Sequence, residues 1–264
     1  DLAHALEAHF VHVVGQAALH LLHDLEAIDH GGGAHLHRAG AHRALTLREP
    51  VRFIFRFCIW IATGIKAREW VAVHRKHHAF TDVEGDPHSP VLLGLWRVQI
   101  TNVALYRKAA HDPETVAKYA KDMPPDALDR WVFDRSLIGL ALGIGILMVV
   151  LGPWAGLVAA FVHLNLYLAT SSAVNAIGHH FGRKPYQNDA GNLQWLAWLT
   201  AGEGLHNNHH AVPSGARLSH RRWEFDPGWW VISTLRTFGL AKIRLTEAAV
   251  QVKAAAARPT RIVA

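Results

Sequence analysis

The chain has 264 residues, a length that allows one large domain or two small ones. Half of its residues are hydrophobic and only 18% are charged, whereas soluble domains average about 25% charged residues. This composition excludes a disordered chain and disfavours an ordinary soluble domain. The single cysteine, Cys58, excludes a disulfide framework and any cysteine-ligated zinc or iron–sulfur site within the chain. The 21 histidines equal all aspartates and glutamates in number, which indicates a specific use for imidazole.

Residues 1–36 are expected to form an atypical or truncated N-terminal segment. They hold seven histidines. Their apolar stretch, Phe10–Leu22, contains His12 and His20, which makes it a poor candidate for a membrane span. A separate metal-binding tract is the alternative for this segment.

Three short motifs hold eight further histidines. They are His37, His42, His74, His77, His78, His206, His209 and His210. Positions i, i+3 and i+4 of a helix share one face, so each H-x2-H-H motif directs two or three imidazoles towards one point. Positions five apart lie about 140° around an ideal helix. The H-x4-H motif can therefore converge only at a helix end, at a distortion, or around two metal ions.

These motifs predict a metal centre. Eight neutral imidazoles brought together without a metal would need many hydrogen-bond partners and would repel one another when protonated. Imidazole suits iron, copper, zinc and nickel, and eight or more ligands imply two ions. Two such ions beside a hydrocarbon phase suggest oxygen chemistry on an apolar substrate, whereas zinc-dependent hydrolysis of a lipid ester needs fewer ligands.

A block of 47 residues, 136–182, contains no Lys, Arg, Asp or Glu. It holds two apolar runs, Ser136–Leu151 and Trp154–Val174, which Gly152-Pro153 separates. With Trp131–Phe133 added, the first run approaches the roughly 20 residues that span hydrocarbon, and the second reaches that length. We predict two antiparallel spanning helices over about 131–174. The alternative is a buried core hairpin of a soluble protein.

The positions of the charges predict the topology of this hairpin. Of the 27 basic residues, 16 precede the uncharged block and 11 follow it. Basic residues collect at the cytoplasmic ends of spanning helices, so both outer ends of the hairpin are expected in the cytoplasm. A nucleic-acid-binding domain would not set aside such a block, and we expect no nucleic-acid partner.

Shorter apolar stretches are expected to lie at the membrane surface. Phe53–Ile65 is interrupted by Arg56, is too short to span comfortably and suits a re-entrant or interfacial helix. Leu193–Ala201 and Trp229–Leu240 are rich in Trp and predict interfacial segments. The tail, Leu245–Ala264, is Ala-rich and predicts a surface helix.

With these motifs the chain resembles the membrane fatty-acid desaturase family, of the acyl-CoA delta-9 (stearoyl-CoA desaturase) type. The resemblance covers about Gly33–Leu245. It depends on three histidine boxes in this order, with an Asn-x3-His segment before the last, and a lone H-x2-H-H would not be specific. The matching segments begin at His37, Trp70, Gly85, Asn175 and Gly202.

The resemblance implies two iron ions bound by nine histidines, with an asparagine holding a further ligand through water. The implied ligands are His37, His42, His74, His77, His78, His179, His206, His209 and His210, with Asn175 as the asparagine. Asn175 lies four residues before His179, so the two would share a helix face. His180 is the alternative to His179. Carboxylates near the boxes would orient the imidazole N–H groups, and the candidates are Glu69, Asp82, Glu84, Asp86 and Glu203.

The resemblance also implies a reaction. It is the insertion of one cis double bond into a long acyl chain, expected at the delta-9 position of an acyl-CoA, with O2 as co-substrate and two external electrons. A ferredoxin or a cytochrome b5-like protein is the expected donor, because the chain has no cysteine set for an iron–sulfur cluster and no G-x-G-x-x-G motif. A histidine-box lipid hydroxylase or ketolase and a non-catalytic metal-binding or transport protein are the alternatives.

The expected architecture is an all-α, multi-pass integral membrane protein with a cytoplasmic histidine-box di-metal domain. Three regions are predicted: 1–36 as the atypical segment, 37–245 as the desaturase domain, and 246–264 as the tail. A bacterial inner membrane is the expected location, with membrane lipid as a partner.

Overall fold

The computed structural model describes residues 33–258, and these are mostly helical, as predicted. Most of the expected atypical segment, 1–32, lies outside the described residues, as do the last six residues of the predicted tail. Between residues 33 and 258 there are two short π-helical segments, Gly33–Ala41 and Asp129–Phe133. Two three-residue strands, β1 (Leu45–Leu47) and β2 (Ala241–Ile243), add a small antiparallel pair that the all-α prediction did not include.

The remaining elements are α-helices. In chain order they are α1 (Glu49–Thr63), α2 (Ala67–Phe80), α3 (Pro90–Leu93), α4 (Leu95–Ala110), α5 (Pro113–Tyr119), α6 (Ser136–Leu151), α7 (Pro153–Asn175), α8 (Gln194–Leu199), α9 (His206–Ala211), α10 (Pro227–Thr237) and α11 (Glu247–Ala256).

The apolar block folds as the predicted helical hairpin. Helices α6 and α7 pack against each other, and Gly152 joins them with φ of 85°, a value that favours glycine. Helix α7 is long and apolar enough to cross a membrane, and α6, with 16 residues, is shorter. Outward side chains such as Val149 and Trp154 are more than 80% exposed. Apolar surface of this extent is unusual on a soluble monomer.

In the structure, residues Trp131–Phe133 do not continue the helix of the first apolar run. These residues lie in the π-helical segment Asp129–Phe133, and Asp134 and Arg135 separate that segment from α6. The segment is held instead by a largely buried cation: Arg56 of α1 donates to Asp126 at 2.8 Å and to Asp129 at 2.6 Å. Charged partners outside the apolar run thus hold the segment that precedes the helix.

Helix α1, the predicted re-entrant or interfacial helix, packs along α6. Trp60 donates its indole N–H to the Arg135 carbonyl at 3.1 Å, just before α6 begins. Two glycines of α6, Gly139 and Gly143, face Trp60 and Ile61 so closely that a Cβ at either would meet the backbone of α1. This contact anchors the hairpin to the helix that follows the first histidine motif.

The C-terminal part returns to the start of the described chain. β2 pairs with β1 in the register Thr46 opposite Lys242, and the two strands share a small apolar core with α10. The predicted interfacial Trp residues of α8 and α10 include Trp195, Trp198 and Trp230, and all three are exposed. Helix α11 is the predicted surface helix, and it packs Val250 and Ala254 against the body of the protein.

The close contact between α1 and α6 leads to a prediction with a control on the same helix. Gly143→Ala should lower the free energy of unfolding by about 1–3 kcal/mol, because its Cβ would push against the Ile61 carbonyl. Gly145→Ala, whose Cβ meets nothing within 4 Å, should leave stability unchanged or raise it slightly. Thermal unfolding in detergent micelles measures both, and equal effects would contradict this packing.

Candidate metal centre

The first histidine motif converges through a distortion of the backbone, one of the three options that its spacing left open. Residues Gly33–Ala41 form a π-helix, and the His42 N–H donates to the His37 carbonyl at 3.1 Å, a bond between residues five apart. Because this pattern closes a wider turn than an α-helix does, residues five apart come onto one side. The His37 and His42 ring centroids are 4.8 Å apart.

The two H-x2-H-H motifs each lie on a helix and divide their rings between two sites. On α2, His74 and His78 are one turn apart and face one group of rings, whereas His77 faces a second group. On α9 the division is reversed: His209 faces the first group, and His206 and His210 face the second. Each helix therefore contributes to both groups, which holds the two groups side by side.

The structure brings together all nine histidines that the resemblance implied as ligands. In each group the nitrogen atoms lie within 4.8 Å of one another. We call the groups the five-histidine group (His37, His42, His74, His78 and His209) and the four-histidine group (His77, His179, His206 and His210).

Facing ring nitrogens approach one another closely inside both groups. In the five-histidine group, the Nε2 atoms of His42 and His74 are 2.8 Å apart, and those of His37 and His209 are 3.1 Å apart. In the four-histidine group the Nε2 atoms of His179 and His206 are 3.0 Å apart. The lone pairs thus point to a common centre in each group.

The structure distinguishes between the two alternative ligands, His179 and His180. His179 is buried in the four-histidine group, whereas His180 is exposed and belongs to neither group. Asn175 and His179 were expected to share a helix face. In the structure α7 ends at Asn175 and turns follow it, so the two residues do not lie on one helix. Asn175 nevertheless lines the same cavity as His206.

Three of the five candidate carboxylates contact ligand-type histidines, one to each ring. The Nδ1 atoms of His179 and His37 lie 2.8 Å from Asp82 and Glu203, and that of His77 lies 3.0 Å from Asp86. A carboxylate that accepts the Nδ1–H leaves Nε2 bare, which is the form that binds a metal. The other two candidates are placed elsewhere: Glu69 pairs with Lys66 at 3.0 Å, and Glu84 is exposed.

The electrostatics of the centre favour neutral imidazoles and ionised carboxylates. Burial, followed by repulsion from neighbouring histidines, holds the pKa of six of them well below the usual value: His42, His74, His78, His206, His209 and His210. Burial opposes ionisation of Asp82 and Asp86, but hydrogen bonds from His179 and His77 outweigh it and lower the pKa of both carboxyls. Neutral rings keep their lone pairs available to a cation.

The donor set fits metal ions. Nε2 of His77 is buried and has no hydrogen-bond partner among the described residues, although its Nδ1 is held by Asp86. A buried nitrogen without a partner destabilises the folded protein unless a cation or a water molecule binds to it. Nine imidazoles with two converging sets of lone pairs are matched by two transition-metal ions that accept nitrogen ligands.

Two residues near the centre were not predicted as functional from the sequence. His88 is buried with its ring centroid 4.8 Å from that of His77, and both of its nitrogens lack a partner among the described residues. Arg38 is 1% exposed and lies next to His37. Each is a single residue with no spacing pattern, although the segment that contains His88 and the box that contains Arg38 were both part of the resemblance.

A cavity of about 380 Å³ adjoins the histidines. Side chains of α1, α2, α4, α7 and α8 surround it, and the exposed surface of its wall is mostly apolar, with contributions from Ile59, Val103 and Leu168. His37, His74 and His206 form part of its wall. The candidate centre therefore opens onto an apolar space that suits a hydrocarbon chain.

Comparisons with known proteins agree with this geometry. The family model described as "Fatty acid desaturase" matches residues 26–240. The sn-1 stearoyl-lipid 9-desaturase of Synechocystis sp. is 33% identical over 209 residues, which cover 78% of this chain and 64% of the relative. The sn-2 palmitoyl-lipid 9-desaturase of Nostoc sp. is 37% identical over 177 residues, covering 66% of this chain and 61% of the relative. The icosanoyl-CoA 5-desaturase of Limnanthes douglasii is 31% identical over 208 residues, covering 78% and 58%.

Fold and site together define a helical protein with a candidate two-metal centre made of histidines. The chain belongs to the fatty acid desaturase family, as the resemblance of its histidine boxes predicted. The matched part spans about three fifths of the length of these curated relatives.

The carboxylate contacts lead to a prediction. Asp82→Asn should weaken metal binding to the four-histidine group by about 10–100-fold, because an amide no longer selects the Nδ1–H form of His179. Glu84→Gln, an exposed neighbour in the same loop, is the control and should bind metal as the unchanged chain does. Titration with Zn²⁺ against a competing chelator measures both, and equal affinities would contradict an orienting role for Asp82.

Proposed function

We propose that this protein is an O2-dependent fatty acyl desaturase that inserts a cis double bond into a long acyl chain. The observation that carries the proposal is the arrangement of nine histidines in two adjacent groups at the wall of an apolar cavity. The names of the relatives, which are desaturases of acyl lipids and of an acyl-CoA, support the same class of substrate.

The nine histidines are proposed to hold two iron ions, and Asn175, which lines the same cavity as His206, is proposed to hold a further ligand through water. The chemistry that such a pair would supply is the use of O2 and two external electrons to remove two hydrogens from unactivated methylenes. Zinc would fit imidazole equally well but offers no redox chemistry. Iron is therefore the ion that matches both the donor set and the family.

The protein's own residues have three tasks in this proposal. Asp82 and Asp86 hydrogen-bond to Nδ1 of His179 and His77 and hold those rings in the form whose Nε2 is bare. Glu203 lies 2.8 Å from Nδ1 of His37 and is proposed to do the same for that ring. Apolar side chains from five helices exclude water around the acyl chain, which protects a strong oxidant from side reactions. The cavity wall fixes which methylenes lie beside the histidines, and the position of the double bond follows from how far the chain enters.

We propose the delta-9 position as the site of desaturation. The two cyanobacterial relatives described above carry that position in their names, and their acyl chains are stearoyl and palmitoyl. The same relatives act on acyl lipids, whereas the motifs resemble the acyl-CoA type. Feeding labelled stearoyl-CoA to membranes, and following the label in free CoA esters and in glycerolipids, distinguishes the two carriers.

Electrons are proposed to come from an external ferredoxin or cytochrome b5-like protein. The described residues and the sequence contain no cysteine set that could hold an iron–sulfur cluster. An acidic donor would suit a chain with a net charge of +6. Consumption of O2 should therefore depend on an added donor and its reductase.

A mutation tests the proposed activity. His209→Ala should abolish desaturation, because His209 lies within the five-histidine group and its Nε2 is 2.8 Å from that of His78. His180→Ala, at an exposed histidine outside both groups, is the matched control and should retain activity. Expression in a desaturase-deficient host, with gas chromatography of the fatty acids, measures both.

The outcome of that experiment separates the competing functions. A new monounsaturated chain from the unchanged protein, lost in His209→Ala, supports desaturation. A hydroxylated chain without an alkene would replace this proposal with a hydroxylase of the same superfamily. Metal on the protein without O2 consumption, in the presence of donor and reductase, would favour a non-catalytic metal-binding protein.

The α6–α7 hairpin is proposed to cross the membrane with both outer ends in the cytoplasm. Cys58 is the only cysteine, so Cys58→Ala gives a background free of thiols. In that background Gly152→Cys, at the turn of the hairpin, should react with an impermeant maleimide added outside the cell. Lys184→Cys should react only after the membrane is opened. Labelling of both from the same side would contradict a spanning hairpin.

A further inference from the structure

Arg38 is a fully buried cation directly beside a histidine of the candidate centre. It belongs to the π-helix Gly33–Ala41, follows His37 and is 1% exposed. A buried guanidinium cannot be solvated by water, so the protein must supply its partners. The identity of those partners shows what the cation does.

Backbone carbonyls and a carboxylate surround the guanidinium of Arg38. Nη1 donates to the Ala216 carbonyl at 2.8 Å, and Nη2 donates to the Ala201 carbonyl at 2.7 Å and to Asp226 at 2.7 Å. Gly202 and Gly228 leave space for the guanidinium, since a Cβ at either position would come within 3.0 Å of Nη2. Three segments of the C-terminal part, around residues 201, 216 and 226, thus meet at Arg38.

The two carboxylates beside Arg38 differ in how much they depend on it. Asp226 also accepts the backbone N–H groups of Leu218 at 2.7 Å and Trp229 at 3.0 Å. For Glu203, Oε1 lies 3.6 Å from Arg38 Nε, and neither atom has a hydrogen-bond partner among the described residues. Arg38 is therefore the cation that neutralises Glu203, whereas Asp226 has other donors.

Glu203 joins this buried cation to the candidate metal centre. Its second oxygen, Oε2, lies 2.8 Å from His37 Nδ1, which is ion-pair distance, although that nitrogen makes no hydrogen bond among the described residues. Nε2 of the same ring faces His209 in the five-histidine group. Glu203 is thus placed between a fixed positive charge and an imidazole N–H. Removing the cation would leave a partly buried carboxylate without the positive charge beside it.

We infer that Arg38 is a positioning residue that acts through Glu203 on His37, so that His37 directs a bare Nε2 into the five-histidine group. The inference rests on the proposed function only in taking the two groups as metal sites. It assigns to the centre an orienting chain of three residues, and it predicts an effect on one of the two metal ions and not on the other.

Cobalt binding to the full chain in detergent micelles tests this inference. Bound Co²⁺ is followed by its visible absorption against a competing chelator. Arg38→Gln and Glu203→Gln should each weaken one of the two sites by about 10–100-fold and leave the other unchanged. The double variant should bind no more weakly than Glu203→Gln alone, because both changes interrupt the same chain of contacts.

A merely structural role for Arg38 gives a different result. It would weaken both sites together, and its effect would add to that of Glu203→Gln. Arg56→Gln is the matched control, because it also removes a largely buried arginine that pairs with two carboxylates, Asp126 and Asp129, without a contact to the ligand-type histidines. It should lower thermal stability and keep both cobalt sites at full affinity.

The experiment distinguishes failure of the proposed two-metal function from failure of the role inferred for Arg38. If the unchanged chain binds fewer than two cobalt ions, the proposed two-metal function fails. If it binds two, and Arg38→Gln keeps both at full affinity, the role of Arg38 is overturned. Should Arg38→Gln not fold, Glu203→Gln tests the same chain of contacts, and two sites of full affinity in that variant overturn the inference.

Discussion

The structure depends on the burial of nine imidazoles that meet at their Nε2 atoms. Each ring must give up water, and the close approach of facing nitrogens excludes protonation of more than a few of them at once. Burial accordingly lowers the pKa of seven of the nine. Carboxylates lie within 3.0 Å of the outer nitrogens of three rings. The surrounding fold can be understood as the scaffold that makes this arrangement possible.

Strain in the backbone is concentrated around the same centre. Within residues 33–258, the non-glycine residues with positive φ are Arg43, Asp82 and Ala201. Arg43 directly follows His42, Asp82 holds His179, and the Ala201 carbonyl accepts from Arg38. Each such conformation costs of order 1–3 kcal/mol and persists only where the surroundings determine it. Together with the π-helix, these residues indicate that unfavourable backbone conformations are tolerated where they allow the histidine side chains to converge.

Sequence reasoning could predict those parts of the site that have a regular period. The H-x2-H-H motifs lie on helices as their spacing required, and the uncharged block folds into the two helices on either side of Gly152-Pro153. The spacing of His37 and His42 left three geometries open, because a π-helix has no sequence period of its own. The sequence could not show which of the five candidate carboxylates contact a histidine, since loop conformation decides which carboxylate reaches a ring. The three that do are Asp82, Asp86 and Glu203, and the two that do not are Glu69 and Glu84. The break between Trp131–Phe133 and α6 was not predicted, because the ion pairs of Arg56 that hold the preceding segment join residues far apart in sequence. Arg38 was missed because a single residue without spacing gives no signal.

Helix α7 connects the apolar exterior with the cavity. Its first turns expose large apolar side chains such as Trp154, Val158 and Phe161, whereas Leu168, Ser171 and Val174 near its end line the cavity beside the histidines. The helix is therefore apolar on nearly all sides at its start and has a distinct inner face at its end. An acyl chain that follows this helix would stay in apolar surroundings until it meets the histidines. The helix that is long and apolar enough to cross a membrane therefore also forms a wall of the proposed acyl site, and it ends at Asn175, which lines the cavity with His206.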